Sequence, residues 1–127
     1  MNEEVKKLIS NYIKQFQVHS EINYEDKASI KRGNKAVDRM ISLAKKTSEY
    51  PDGILEFRKL LNSENSSLSL WVSHHILEYM DYAEQDEKTA LQHIREAAET
   101  EYGEKIWLEE WKDKKNELFP ITACIRH

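Results

Sequence analysis

An all-α fold of about six helices is what this 127-residue sequence predicts, and three observations predict it. Apolar residues recur at i, i+3, i+4, i+7 along most of the chain, the spacing of helices with one buried face. Three glycines and two prolines are too few for the many turns of a β-rich fold. Short polar stretches rich in helix-capping residues separate the periodic segments.

The first helix, residues 3–18, places Val5, Leu8, Ile9, Tyr12, Ile13 and Phe16 on one face. After the polar stretch His19 to Lys27, a second helix over 26–48 carries Ile30, Val37, Met40, Ile41 and Ala44 on one stripe, with Asp26 as N-cap. Tyr50-Pro51-Asp52 marks a boundary, because proline disfavours helix at the preceding residue and is tolerated in a first turn. The third helix, 52–62, presents Ile54, Phe57, Leu60 and Leu61. The polar run Asn62 to Ser67 leads to a fourth, 66–82, whose apolar residues cover more than one face, as a helix between others requires. Asp86 is read as the cap of a fifth helix, 86–100, with Ala90, Leu91, Ile94, Ala97 and Ala98 inward. The sixth, 103–117, carries Ile106, Trp107, Leu108 and Trp111.

Amphipathic helices with short connections stack as antiparallel pairs, so a HEAT-like α-α superhelix or an irregular bundle is expected. Residues 1–120 form one domain in this reading. Residues 121–127, apolar for a chain end, form a tail that docks back as an extended segment.

Composition narrows the function classes. With 39% hydrophobic and 33% charged residues the chain has enough apolar mass for a packed core. The start, Met1 to Lys7, is charged and lacks the apolar stretch of a signal peptide. No apolar run reaches the roughly 20 residues that span a bilayer. The single cysteine, Cys124, excludes an internal disulfide framework. A cytoplasmic protein without membrane contact is expected.

Charge is divided between the halves. Residues 1–50 carry ten Lys/Arg against seven acids, whereas residues 51–127 carry nine against sixteen. Between Glu78 and Glu110, eleven acids face three bases. Like charges at that density gain a fold nothing, but they attract a basic partner and speed its approach.

At Lys59-Leu60-Leu61-Asn62, Leu70 to Glu78 and Lys88-Thr89-Ala90-Leu91-Gln92-His93-Ile94, the chain resembles a small bacterial family of HEAT-like α-α superhelical proteins, largely uncharacterised, whose similar members act as immunity partners of toxins. Asn34 with Asp38-Arg39-Met40 is similar to an Asn…Arg-Met element of the same family. Where the family often has an arginine early in the central helix, this chain has Ser69-Leu70-Trp71. The resemblance implies the superhelical fold and toxin immunity.

Motifs of enzyme chemistry are missing. There is no glycine-rich phosphate loop, no Gly-x-Ser-x-Gly elbow and no Cys-x-x-Cys pair. His74 and His75 are adjacent, so on a helix their rings point roughly 100° apart and do not share one metal. His75 is read as a hydrogen-bonded structural histidine beside Trp71 and Tyr79. Cys124 has no activating neighbour. The i,i+3 carboxylates Glu78/Asp81/Glu84 and Glu96/Glu99 are read as a solvated acidic face, because a di-metal carboxylate site wants Glu-x-x-His and His93-x-x-Glu96 runs in the opposite order. The expectation is a non-enzyme without cofactor or metal.

Lys27, Lys31, Lys35 and Arg39, at i, i+4, i+8 and i+12, line one side of the second helix, with Arg32, Lys45 and Lys46 nearby. A solvated face, or pairing with acids of the same chain, is preferred there over nucleic-acid binding, because no aromatics interleave with the stripe and the pI is about 5.8. The leading expectation is an immunity protein, monomeric when free, that neutralises a basic toxin domain of the nuclease kind. Its partner-binding residues are Glu78, Asp81, Tyr82, Glu84, Asp86, Glu109, Glu110 and Trp111. The alternative is a HEAT-like nucleic-acid-associated module that binds through the basic second helix.

Overall fold

The computed structural model describes the backbone of residues 3–118 and the side chains of residues 3–114. The C-terminal tail, with Cys124, lies outside the described residues. Six α-helices and one 3-10 segment, with no strand among the described residues, pack as a single domain: α1 (Glu3–Ser20), α2 (Lys27–Ser48), α3 (Gly53–Phe57) running into the 3-10 turn Arg58–Asn62, α4 (Ser66–Tyr79), α5 (Glu84–Ala98) and α6 (Tyr102–Leu118).

Helices α1 and α2 form a hairpin. Glu3 and Glu4 lie in the first turn of α1, where carboxylates suit the positive end of the helix dipole. Val5, Leu8, Tyr12 and Phe16 are its buried residues. Asp26 caps α2 as expected, its Oδ1 accepting the Ala28 N–H at 3.0 Å.

The buried face of α2 is rotated from the expected stripe. Ser29, Gly33, Ala36, Met40, Ala44 and Thr47 are inside, whereas Ile30, Val37 and Ile41 are half-buried at the margin. Small side chains at the centre of the seam let the two helices approach closely, and the branched residues seal its edge. Gly33 belongs to this arrangement, because a Cβ there would fall 2.0 Å from Cδ1 of Ile22 in the connecting loop.

The expected helix over 52–62 is two pieces. After Pro51, Gly53 begins α3, and the chain tightens into the 3-10 turn at Arg58. Phe57 and Leu61 are carried inward. Asn65 caps α4, its Oδ1 accepting from the N–H groups of Ser67 and Leu68. Helix α4 ends at Tyr79 rather than 82, and it is central: Leu68, Val72, His75, Ile76 and Leu77 are all buried, against α5, the 3-10 turn and α2. Tyr12 and Phe57 meet edge-to-face at 4.8 Å, joining the first hairpin to the second half of the core.

Helix α5 starts at Glu84 with Ala83 in the cap position, two residues earlier than expected. Asp86 is therefore not the cap residue. It sits in the first turn, and its Oδ2 accepts the Ala83 N–H at 3.1 Å. The last helix, α6, lies against α5, with Trp107, Leu108 and Trp111 half-buried on the core.

Candidate partner-binding surface

Two side-chain bridges join α4 to α6. His74 Nε2–H donates to Glu104 Oε2 at 2.6 Å, and one turn further along, Trp107 Nε1–H donates to Glu78 Oε1 at 2.9 Å. The His74 ring stands edge-on to Trp107 at 4.5 Å, and Trp107 stacks on Trp111 at 5.3 Å with only 10° between planes. Glu104 meets His74 and Trp107 meets Glu78, so α4 and α6 run in the same sense, with α5 returning between them. The C-terminal end of α4, the start of α5 and the second half of α6 thus share one end of the helical stack.

Most of the expected acidic residues come together there. Glu78, Asp81, Glu109 and Glu110 are exposed, and none has a cationic partner among the described residues. Glu84 is exposed too. Its contact with Lys88, 3.6 Å between two largely exposed side chains, is too weakly held to neutralise it. Tyr82 and Trp111 are half-buried against the core, each keeping an accessible side.

Asp86 does not belong to this surface. It is 5% exposed, receives Arg58 Nη2–H at 2.8 Å and holds the first turn of α5. Burial removes it from any partner's reach, and the guanidinium and the cap are what make that burial tolerable. Arg58 Nε is itself buried without a hydrogen-bond partner, so one donor of the guanidinium stays unsatisfied beside the ion pair. Asp86→Ala is expected to lower stability by about 2–3 kcal/mol in urea denaturation, through the lost cap and the stranded guanidinium. Glu84→Ala, two residues earlier on the exposed side, should stay within about 0.5 kcal/mol. Equal losses at the two positions would contradict the buried role.

His75 is 3% exposed and Tyr12 Oη lies 2.7 Å from its Nδ1. Burial pushes the Tyr12 phenol far above its ordinary pKa, so the hydroxyl keeps its proton and shares a hydrogen bond with Nδ1 of His75. Burial, and secondarily the neighbouring His74, press its pKa down to about 4, which keeps the imidazole neutral in the fold. The expected structural histidine is present, together with a buried tyrosine partner 63 residues away that spacing did not reveal.

The paired bridges of α4 and α6 are likewise not apparent from helical spacing alone. Their signal was two polar residues one turn apart on each helix, His74/Glu78 facing Glu104/Trp107. Among the described residues no three His, Cys, Asp or Glu side chains gather as a metal site. No described helix is long and apolar enough to cross a membrane.

No family model matches the chain, and neither a curated protein nor a solved structure does.

At the other pole, the cations of α2 are all exposed. Of the two expected arrangements, a solvated face or pairing with acids of the same chain, the first is present: no carboxylate lies within ion-pair distance of Lys27, Lys31, Arg32, Lys35 or Arg39 among the described residues. Lys45 Nζ sits 5.1 Å over the Tyr79 ring, so the C-terminal end of the basic helix adjoins the acidic end of α4.

Proposed function

We propose that this chain is an immunity protein: a cytoplasmic monomer that binds a basic toxin domain of the nuclease kind and blocks it without chemistry. The observation that carries the reading is the set of exposed, unneutralised carboxylates of Glu78, Asp81, Glu109 and Glu110, gathered with Glu84 at one end of the stack. A nuclease presents cations to hold phosphates, and this surface offers carboxylates in their place. Charge complementarity raises the association rate and excludes acidic competitors. Affinity then depends on anchors that lose their water, and the accessible sides of Tyr82 and Trp111 beside the carboxylates are of the type that fills that role. Trp111 is held by its stack on Trp107, and Trp107 by its bridge to Glu78. An anchor fixed before binding loses little side-chain entropy when the partner arrives.

The test is growth rescue. The product of a toxin gene adjoining this one, expressed alone, should arrest growth, and co-expression of this chain should restore it. The variant Asp81→Lys/Glu109→Lys/Glu110→Lys should fold and fail to rescue. Rescue by that variant, or no protection by the wild type, would reject the proposal.

A further inference from the structure

The basic face of α2 is left unused by that reading. Lys27, Lys31, Lys35 and Arg39 form a row at roughly 6 Å intervals, four residues at 1.5 Å each. Arg32, Lys45 and Lys46 lie within the same sector of roughly 140°. Asp38 is the one acid in the helix. The opposite side, from Ser29 to Thr47, is buried, so the row is fixed to a rigid support rather than to a loop. Without carboxylate partners, like charges at this spacing repel one another, and they add nothing to the fold.

Tyr24 adds a feature of a different kind. It is the most exposed large apolar side chain described, at 76%, and stands three residues before Lys27. Its loop is well tied. The Asp26 N–H donates to the Asn23 carbonyl at 3.0 Å, closing a turn with Tyr24 at its second position. Asn23 Oδ1 accepts the Glu25 N–H, the Asn23 N–H donates to the hydroxyl of buried Ser29, and Ile22 is pressed over Gly33. The ring is thus presented outward on a fixed turn at the head of a cationic row. Of the nearby acids, Asp26 is engaged as the helix cap, while Glu25 and Glu21 are exposed and limit the positive surface on the loop side.

We propose that this face binds single-stranded nucleic acid, its phosphates following the row from Lys27 to Arg39 and a base stacking on Tyr24. The row spacing suits the phosphate repeat of an extended strand, and an aromatic platform beside a cationic track is how single strands are held without sequence preference. An anionic membrane fits less well, because the apolar face of α2 is buried and only Tyr24 is left to insert. A duplex groove fits less well too, because α2 is packed lengthwise on α1 and does not stand free to enter it. The row from Lys27 to Arg39 shares no residue with the acidic end of α4–α6, which the basic helix adjoins at Lys45, so the variants that test this proposal and those that test the immunity reading are different.

Fluorescence anisotropy with labelled dT15 and U15, a 15-base-pair duplex and phosphatidylserine vesicles tests it on the full chain. The single strands should bind most tightly at 50 mM salt. Contact with four phosphates gives a slope of log K against log salt of about −3. Lys31→Glu/Lys35→Glu/Arg39→Glu should weaken binding at least 30-fold without altering the circular dichroism spectrum. Tyr24→Ala should weaken it about tenfold with the salt slope unchanged, and Tyr24→Trp should restore it. No binding of either oligonucleotide at 50 mM salt overturns the proposal. Equal, Tyr24-independent binding to duplex or vesicles does so as well, as does self-association that the triple reversal abolishes while the oligonucleotides stay unbound.

Discussion

Gly53→Ala should destabilise this protein by about 3 kcal/mol, among the largest effects of any single methyl group in the chain. A Cβ at Gly53 would lie 1.8 Å from the Thr47 carbonyl oxygen and 2.8 Å from its carbon. Those are backbone atoms in the last turn of α2, so no rotamer change relieves the overlap. Thr47 is fully buried, its Oγ1–H donating to the Leu43 carbonyl at 2.7 Å, and the turn is closed by the Gly53 N–H to the Tyr50 carbonyl at 2.9 Å. Moving α3 away instead would drag Phe57, which is fully buried and set edge-on to Tyr12. Gly33→Ala is the control. There the added methyl meets the end of the Ile22 side chain, which can turn aside, and replacing a mid-helix glycine returns up to about 1 kcal/mol of helix propensity. Thermal melts should show Gly53→Ala roughly 10 °C or more below the wild type and Gly33→Ala within a few degrees of it. Equal shifts would mean that the turn after Pro51 is looser than described.

Acidification from pH 7 to pH 4 should cost the fold about 3 kcal/mol through His75 alone. The imidazole titrates at about 4 in the fold and near its ordinary 6.5 when unfolded. Between those values the unfolded chain binds the extra proton, so stability is whole above pH 6.5 and falls as the pH drops toward 4. Each pKa unit is worth about 1.4 kcal/mol, and the native-state imidazole stays neutral because its surroundings are Tyr12, Trp71 and Tyr79. The neighbouring His74 opposes its protonation further. His75→Gln keeps an acceptor for the Tyr12 hydroxyl and removes the titration. Urea midpoints at pH 7, 5.5 and 4 should therefore fall less steeply in the variant. Carboxylates titrate in both proteins, so the difference between the two slopes isolates His75. Identical slopes would show that His75 is charged in the fold.

The helices were legible because their signals are local. Asp26 and the i, i+3, i+4 pattern of α1 need no knowledge of the rest of the chain. The face of α2 was misplaced because hydrophobicity favours Ile30, Val37 and Ile41, whereas close packing against α1 put Ser29, Gly33 and Ala36 at the seam. Asp86 shows the same limit. Its charge marked it for the surface, but the decisive fact, Arg58 from 28 residues upstream, is tertiary. The Tyr12–His75 bond and the bridges between α4 and α6 likewise depend on where helices cross. In the acidic cluster, charge counting located Glu78, Asp81, Glu109 and Glu110 correctly on the surface, because solvated carboxylates obey composition more than packing.

Under the proposed function, the acidic end of α4, α5 and α6 meets a basic protein. Stopped flow gives the association rate with the toxin domain between 20 and 500 mM salt, a range over which the Debye length falls from roughly 20 Å to roughly 4 Å. The wild-type rate should fall steeply with salt, and Asp81→Lys/Glu109→Lys/Glu110→Lys should bind slowly at every salt concentration with its melting temperature intact. A wild-type rate independent of salt, or a reversal variant that associates as fast as the wild type, would contradict it.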